Sequence, residues 1–150
     1  MAVVDSFEDI QDDFLATDAT VVWCNVATVD TQGRPRSRVL HPMWEGSTGW
    51  ILTGRNSLKS KHLDDNPHVS IAYVADPFKP IYVEGIAEWV DDQVEKVKRW
   101  DWFKSTPEPY GYDPAPFFGS ADSKGFGLLK ITPRLISLYE LGGKIRTWKA

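Results

Sequence analysis

The spacing of apolar runs between residues 20 and 90 limits this chain to an antiparallel design. "TVVWCNVATV" (20–29) is β-branched and apolar, and "DTQG" (30–33) turns it into a second strand over 34–45. "EGSTG" (45–49) turns the chain again into "WILT" (50–53). "HVSIAYVA" (68–75), the turn "DPFKP" and "IYVEGIAEWV" (81–90) repeat the pattern. A parallel sheet needs a helix after nearly every strand, and the turns at 30–33, 45–49 and 76–80 are too short to hold one. Residues 125–141 add one or two strands, and "GG" (142–143) leads into a last short strand, "KIRTWKA". The reading is mainly β (α+β): a small barrel of six to seven mostly antiparallel strands, in one domain over 1–150.

Two or three short helices complete the pattern. "DSFEDIQDDFLA" places Phe7, Ile10, Phe14 and Leu15 on one helical face, with Ser6 and Asp9 as a capping box. "DDQVEKVKRWDWFKS" (91–105) begins at Asp91 or Asp92 and sets Glu95 one turn before Arg99. Residues 106–124 then form a long loop holding four prolines and four aromatics. A loop of that length in a small domain reads as functional or as a contact surface.

The helix in "RNSLKSKHLDDNP" (55–67) has its charges reversed. Asn56 or Ser57 caps its start and Asn66-Pro67 ends it. Lys59 and Lys61 crowd the N-terminal half, just after Arg55, while Asp64 and Asp65 sit in the last turn. The helix dipole favours the opposite arrangement, by roughly 0.3–1 kcal/mol per charge. An anion at the helix start would neutralise the cations and accept from the free amides. Arg34, Arg36 and Arg38 alternate along one strand face and can converge on the same corner. A phosphate monoester satisfies all of these groups, with the Ser57 hydroxyl as a further donor.

The net charge of −4 argues against a nucleic-acid grip, which needs a basic face. No G-x-G-x-x-G and no P-loop occurs. Cys24 is the only cysteine, set in "VVWCNVA", which makes it a buried small hydrophobe. His41, His62 and His68 lack metal-ligand spacing and read as packing or surface residues; no metal site is expected. Asp64 and Asp65 are adjacent on a helix, point apart and are not a catalytic pair. No acid or base can be named. With no basic-then-apolar leader and no run of 18 apolar residues, the expectation is a cytoplasmic protein without a membrane span.

In "GRPRSRVL", "GWILTGRNSLKSKHLDDNPHVSIAYV" and "VEGIAEWVDD" the chain resembles the pyridoxamine-phosphate-oxidase-like superfamily, the flavin-binding split barrels. The resemblance implies a split β-barrel homodimer with flavin sites at the interface. Arg38 matches the arginine opening the flavin-contacting strand, Val39 and Leu40 its ring-facing positions, and Leu52 and Thr53 the next strand's ring-contacting pair. Ser57, Lys59 and Lys61 match the phosphate group, with Arg36 as an extra partner; Trp148 or Arg146 is placed to reach the partner's flavin. The implied function is FMN binding with transfer of hydride or electrons to a small organic acceptor. The alternatives are a deazaflavin-dependent reductase, and a flavin or haem carrier or sensor without turnover. The true oxidase closes with an arginine-histidine substrate motif, whereas "LYELGGKIRTWKA" has no histidine. Oxidation of pyridoxamine phosphate itself is therefore not expected.

Overall fold

A computed structural model describes residues 1–150. The chain runs β1 (Ala2–Val4), α1 (Glu8–Thr20), β2 (Cys24–Val29), β3 (Pro35–Leu40), β4 (Pro42–Glu45), β5 (Thr48–Gly54), α2 (Leu58–Asp65), β6 (His68–Tyr73), β7 (Ile81–Trp89), α3 (Gln93–Ser105), α4 (Ala115–Phe118), β8 (Phe126–Tyr139) and β9 (Ile145–Lys149). All nine strands belong to one sheet, ordered β1-β9-β8-β7-β6-β2-β3, with β5 attached to β8 and β4 to β5. Only the β1–β9 pair is parallel. This is the expected mostly antiparallel split barrel, with more strands and helices than the runs suggest.

The differences have local causes. The apolar stretch over 34–45 is two strands, because the chain changes partner at His41: β3 pairs with β2, and β4 pairs with β5. Pro42 has no N–H to carry a ladder through that point. Thr20 ends α1 instead of opening a strand, and β2 begins at Cys24. β1 is three residues long, too short to show a period, and is held by register with Arg146–Trp148. α4 is one turn inside the long loop.

β8 is a single strand of 14 residues and sets the architecture. β7 lies along one edge, while β5 (opposite Phe126–Ile131) and β9 (opposite Leu135–Tyr139) share the other. The ladder slips between Glu84 and Gly85. A Cβ at Gly85 would stand 2.5 Å from the Thr132 carbonyl oxygen, so only glycine lets the strands close there.

Two apolar clusters result. The larger has 18 buried residues beneath α1, which contributes Ile10 and Phe14, with Phe7 just before its first turn. The smaller packs Trp100 and Phe103 of α3 on Met43, Trp50, Leu52, Phe126 and Leu128. Asp92 caps α3 by accepting from the Glu95 N–H. Arg99, 4% exposed, fastens α3 to the sheet: it pairs with Glu95 at 2.8 Å and Glu45 at 3.2 Å and lies 3.9 Å over the Trp50 ring. No helix is long and apolar enough to cross a membrane.

Asp18 of α1 is fully buried, and neither carboxylate oxygen has a hydrogen-bond partner within the protein. The Tyr73 hydroxyl accepts from Trp44 Nε1–H at 2.8 Å, and the Tyr110 hydroxyl accepts from the Trp44 backbone N–H at 3.2 Å. Both phenols lie near Asp18 and weakly favour its ionised form, yet burial dominates and pushes the acid up to about 6. The folded state therefore holds a proton that the unfolded chain releases near pH 4. Stability falls as pH rises through this window, by up to roughly 3 kcal/mol for a shift of about two pK units. Asp18→Asn should melt higher than the parent at pH 8 and should flatten the fall in melting temperature between pH 4 and 7. Parallel thermal melts check this; an unchanged slope would assign the pH dependence elsewhere.

Candidate functional site

α2 begins at Leu58, with Ser57 at the N-cap position. The Ser57 side chain does not cap the helix. Its Oγ–H donates to the Gly54 carbonyl at 2.8 Å and its oxygen accepts from Lys59 Nζ at 2.8 Å. The first-turn amides thus have no side-chain acceptor, and Lys59 is folded back over them. Asn66 ends the helix after Asp64 and Asp65, so the reversed charge order is a feature of the folded chain.

Arg38 approaches from β3. It lies opposite Val26 of β2, and its Nη1 donates to the Val26 carbonyl (3.1 Å), the Arg36 carbonyl (3.2 Å) and Thr28 Oγ1 (2.8 Å). No carboxylate pairs with Arg38 or Lys59. Desolvation and then the nearby charge of Arg38 push the Lys59 ammonium below its ordinary value, and desolvation and then Arg36 do the same to Arg38. Two half-buried cations thus face each other beside an uncapped helix start.

The neighbouring cations divide. Arg34 is bonded to Asp30 at 2.8 Å, and Arg36 lies 4.0 Å from the same carboxylate. Asp30 closes the β2–β3 turn, and the Arg34 backbone N–H first, then its side chain, helps hold that acid down at about 2. Arg55 is a tether, bonded to Ser60 Oγ (2.7 Å) and Asp91 (3.1 Å) and lying over Trp89. Lys61 is exposed and makes no ion pair.

An apolar cleft of about 400 Å³ adjoins this corner, lined on the sheet side by Leu40, Leu52, Thr53 and Gly54. Leu40 lies two residues beyond Arg38 on the same strand face, about 7 Å away. Gly54 is the residue whose carbonyl receives the Ser57 hydroxyl. The site is thus elongated, cationic at one end and apolar along its body. Val39 is exposed on the alternate face of β3. Trp148 packs on Phe7, with ring centroids 5.4 Å apart, opposite Ile136 of β8. Leu52 faces Leu128, eight residues earlier on β8, so Trp148 is about 27 Å along the strand from the cleft of its own chain.

The opposite wall comes from residues that the sequence left unassigned. Trp23 and His41 contribute from the strand ends, and Glu108, Pro109, Tyr112, Phe117 and Phe118 from the long loop. His41 Nε2 is 2.7 Å from the Tyr110 carbonyl, its ring 5.1 Å from that of Tyr112, and burial pushes its imidazole below the ordinary value. The available signal was the aromatic density of the loop; its landing point depends on tertiary packing. Cys24 is buried, and burial pushes its thiol up to about 12, so it is no nucleophile.

The mostly antiparallel sheet, split along β8, is that of the pyridoxamine-phosphate-oxidase-like split barrels. The chain belongs to the pyridoxamine 5'-phosphate oxidase family, whose family model matches residues 11–139. It is 31% identical over 94 residues to the pyridoxine/pyridoxamine 5'-phosphate oxidase of Aliivibrio salmonicida (strain LFI1238), covering 61% of this chain and 42% of that one. The chain thus spans less than half the length of that curated relative. Among solved structures, it resembles a protein from Clostridium acetobutylicum related to general stress protein 26 of B. subtilis (TM-score 0.77, 17% identity, 97% of this chain and 96% of that one). It also resembles a pyridoxamine 5'-phosphate oxidase-related, FMN-binding protein from Nostoc punctiforme (TM-score 0.68, 18% identity, 94% and 87%) and an F-420 reductase (TM-score 0.60, 19% identity, 81% and 94%). At these identities the structural likenesses carry the fold alone.

The cation corner has a cost that is measurable without any ligand. Lys59→Glu removes the like-charge repulsion from Arg38 and places an anion in the first turn of α2, where the dipole favours it by roughly 0.3–1 kcal/mol. The ligand-free variant should melt higher than the parent at low salt, with the difference shrinking as salt rises. A lower melting temperature would show that the two cations are not in conflict.

Proposed function

We propose that this chain binds FMN across the corner and cleft and works as an oxidoreductase that passes hydride or electrons to a small organic acceptor. The observation that carries the reading is the pair of unneutralised cations, Arg38 and Lys59, at an uncapped helix start that opens directly onto an apolar cleft. A ligand with a compact dianionic end and a flat apolar body matches that sequence of environments. Arg38, Lys59, Ser57 and the first amides of α2 would hold the phosphate, with Arg36 and Lys61 adding longer-range attraction. Leu40, Leu52 and Thr53 would lie against the ring, with the backbone at Val39 behind them. The flavin supplies the redox chemistry when bound. The protein's part is to orient the ring and, through Trp23, Tyr112, Phe117 and Phe118, to keep water from one side of it.

The N. punctiforme protein, named for FMN binding, supports the cofactor class. The F-420 reductase supports a deazaflavin as the second reading. The cations favour FMN, because they form one compact corner: Arg55, which could have extended the positive path, is committed to Asp91. For a haem carrier the histidines are poorly placed, since His41 and His62 are bonded within the protein and His68 lies elsewhere, on β6.

We read the working unit as a homodimer. Trp23 is 57% and Phe117 72% exposed beside the cleft, and Trp148, so distant in its own chain, can contribute only to a neighbour's site. A second copy covering this face would bury both aromatics. Light scattering at micromolar concentration with cofactor present should report a dimer; a monomer would remove Trp148 from the site.

Titration of the apo-protein with FMN and with the deazaflavin in one buffer tests the cofactor. FMN should bind tighter, and Lys59→Glu should weaken it at least tenfold, about 1.4 kcal/mol. A deazaflavin that binds more than tenfold tighter than FMN would replace this reading with the reductase one. Turnover with a reduced nicotinamide and an artificial acceptor then separates an enzyme from a carrier.

A further inference from the structure

Arg38 could swing away from the corner, since a long side chain on a strand beside a like charge has every electrostatic reason to do so. It is held instead by one nitrogen. All three of its hydrogen bonds within the protein are made by Nη1, leaving Nε and Nη2 without a protein acceptor. The shortest of the three, at 2.8 Å, goes to the hydroxyl of Thr28, which is 2% exposed on β2. The same hydroxyl lies 3.0 Å from Nδ1 of His62, itself buried on α2. His62 is three residues beyond Lys59, on the same face of the helix one turn later.

We propose that Thr28 and His62 are positioning residues for phosphate binding: they fix the Arg38 fork relative to Lys59 so that both cations meet one anion. The inference rests on the FMN reading above and names how that site is held in shape. An arginine N–H can only donate, so the Thr28 oxygen accepts from Arg38. The Thr28 hydroxyl keeps its own proton and a second lone pair for His62 Nδ1, so the two side chains are joined whichever of them donates. The chain of three side chains spans β3, β2 and α2, which places the two cations by a route independent of any ligand. With Nη1 pinned, Nε and Nη2 form the edge that can take two oxygens of a phosphate. The arrangement offsets the repulsion between Arg38 and Lys59 before the ligand arrives, which lowers the ordering cost on binding.

The test compares FMN with riboflavin, which has the same ring and no phosphate. Thr28→Val keeps the shape and the β-branch and removes the hydroxyl; Thr28→Ser keeps the hydroxyl. Thr28→Val should weaken FMN at least tenfold, about 1.4 kcal/mol, with riboflavin affinity unchanged within about twofold. Thr28→Ser should keep FMN affinity within about threefold of the parent, a gap of about 0.7 kcal/mol. If Thr28→Val lacks a cooperative thermal transition, His62→Leu carries the same comparison and should lose FMN selectively. Parent-like FMN binding by Thr28→Val, or equal loss of FMN and riboflavin, overturns the positioning role while the FMN reading stands. A parent protein that binds riboflavin as tightly as FMN, or neither, overturns that reading and this inference with it.

Discussion

One strand carries two jobs that a sheet normally gives to several. β8 is about 46 Å long at the usual rise, and only β7 follows most of its length. Its other edge is shared in turn by β5 and β9, and that division is what splits the barrel. The split gives the protein its cleft. Where β5 takes over the edge, its far end leads through Gly54 to the start of α2. The slip at Gly85 belongs to the same constraint: a long strand twists, and the bulge absorbs a twist its neighbour cannot match.

The site is built against its own stability, and in two different ways. At the corner, like charges are brought together without a carboxylate between them, a conflict that Thr28 and the Ser57 hydroxyl moderate without removing. Beneath the cleft's far wall, Asp18 is buried without a hydrogen-bond partner inside the protein. The two differ in kind. A charge conflict at the surface of a cleft can be relieved by a bound anion, whereas the buried acid is relieved by a proton. Local departures from the most stable arrangement are expected where a protein binds something, and the corner is such a departure.

Much of this was legible in the residues. The short runs separated by turns of four or five residues gave an antiparallel barrel because turns that short cannot hold a crossover helix. The reversed charge order of α2 was legible because helix polarity is fixed by backbone geometry, and it stands in the structure. The pair Glu95–Arg99 and the cap at Asp92 followed from helical spacing and stand in the structure. The break at His41 was less visible, since Pro42 fits an edge strand as well as a strand boundary. Thr28 gave no signal at all: its part depends on the register that sets it across from Arg36 and under His62, and register is a property of paired strands. The far wall of the cleft was foreshadowed only as a loop rich in aromatics, because where a loop lands is decided by tertiary contacts.

That wall has an evolutionary consequence. Glu108, Pro109, Tyr112, Phe117 and Phe118 all arrive on one uninterrupted piece of chain between α3 and β8, tied down by Tyr110 through Trp44 and His41. The cations come from other elements, β3 and α2. On the proposed reading, the groups that would grip the cofactor and those that would choose what meets it are therefore written in separable passages. Substitution, lengthening or replacement of the loop can change what enters the cleft while leaving the corner intact. A lineage using this scaffold can diversify its chemistry by revising one segment, provided that the revision keeps a hydroxyl where Tyr110 meets the Trp44 backbone.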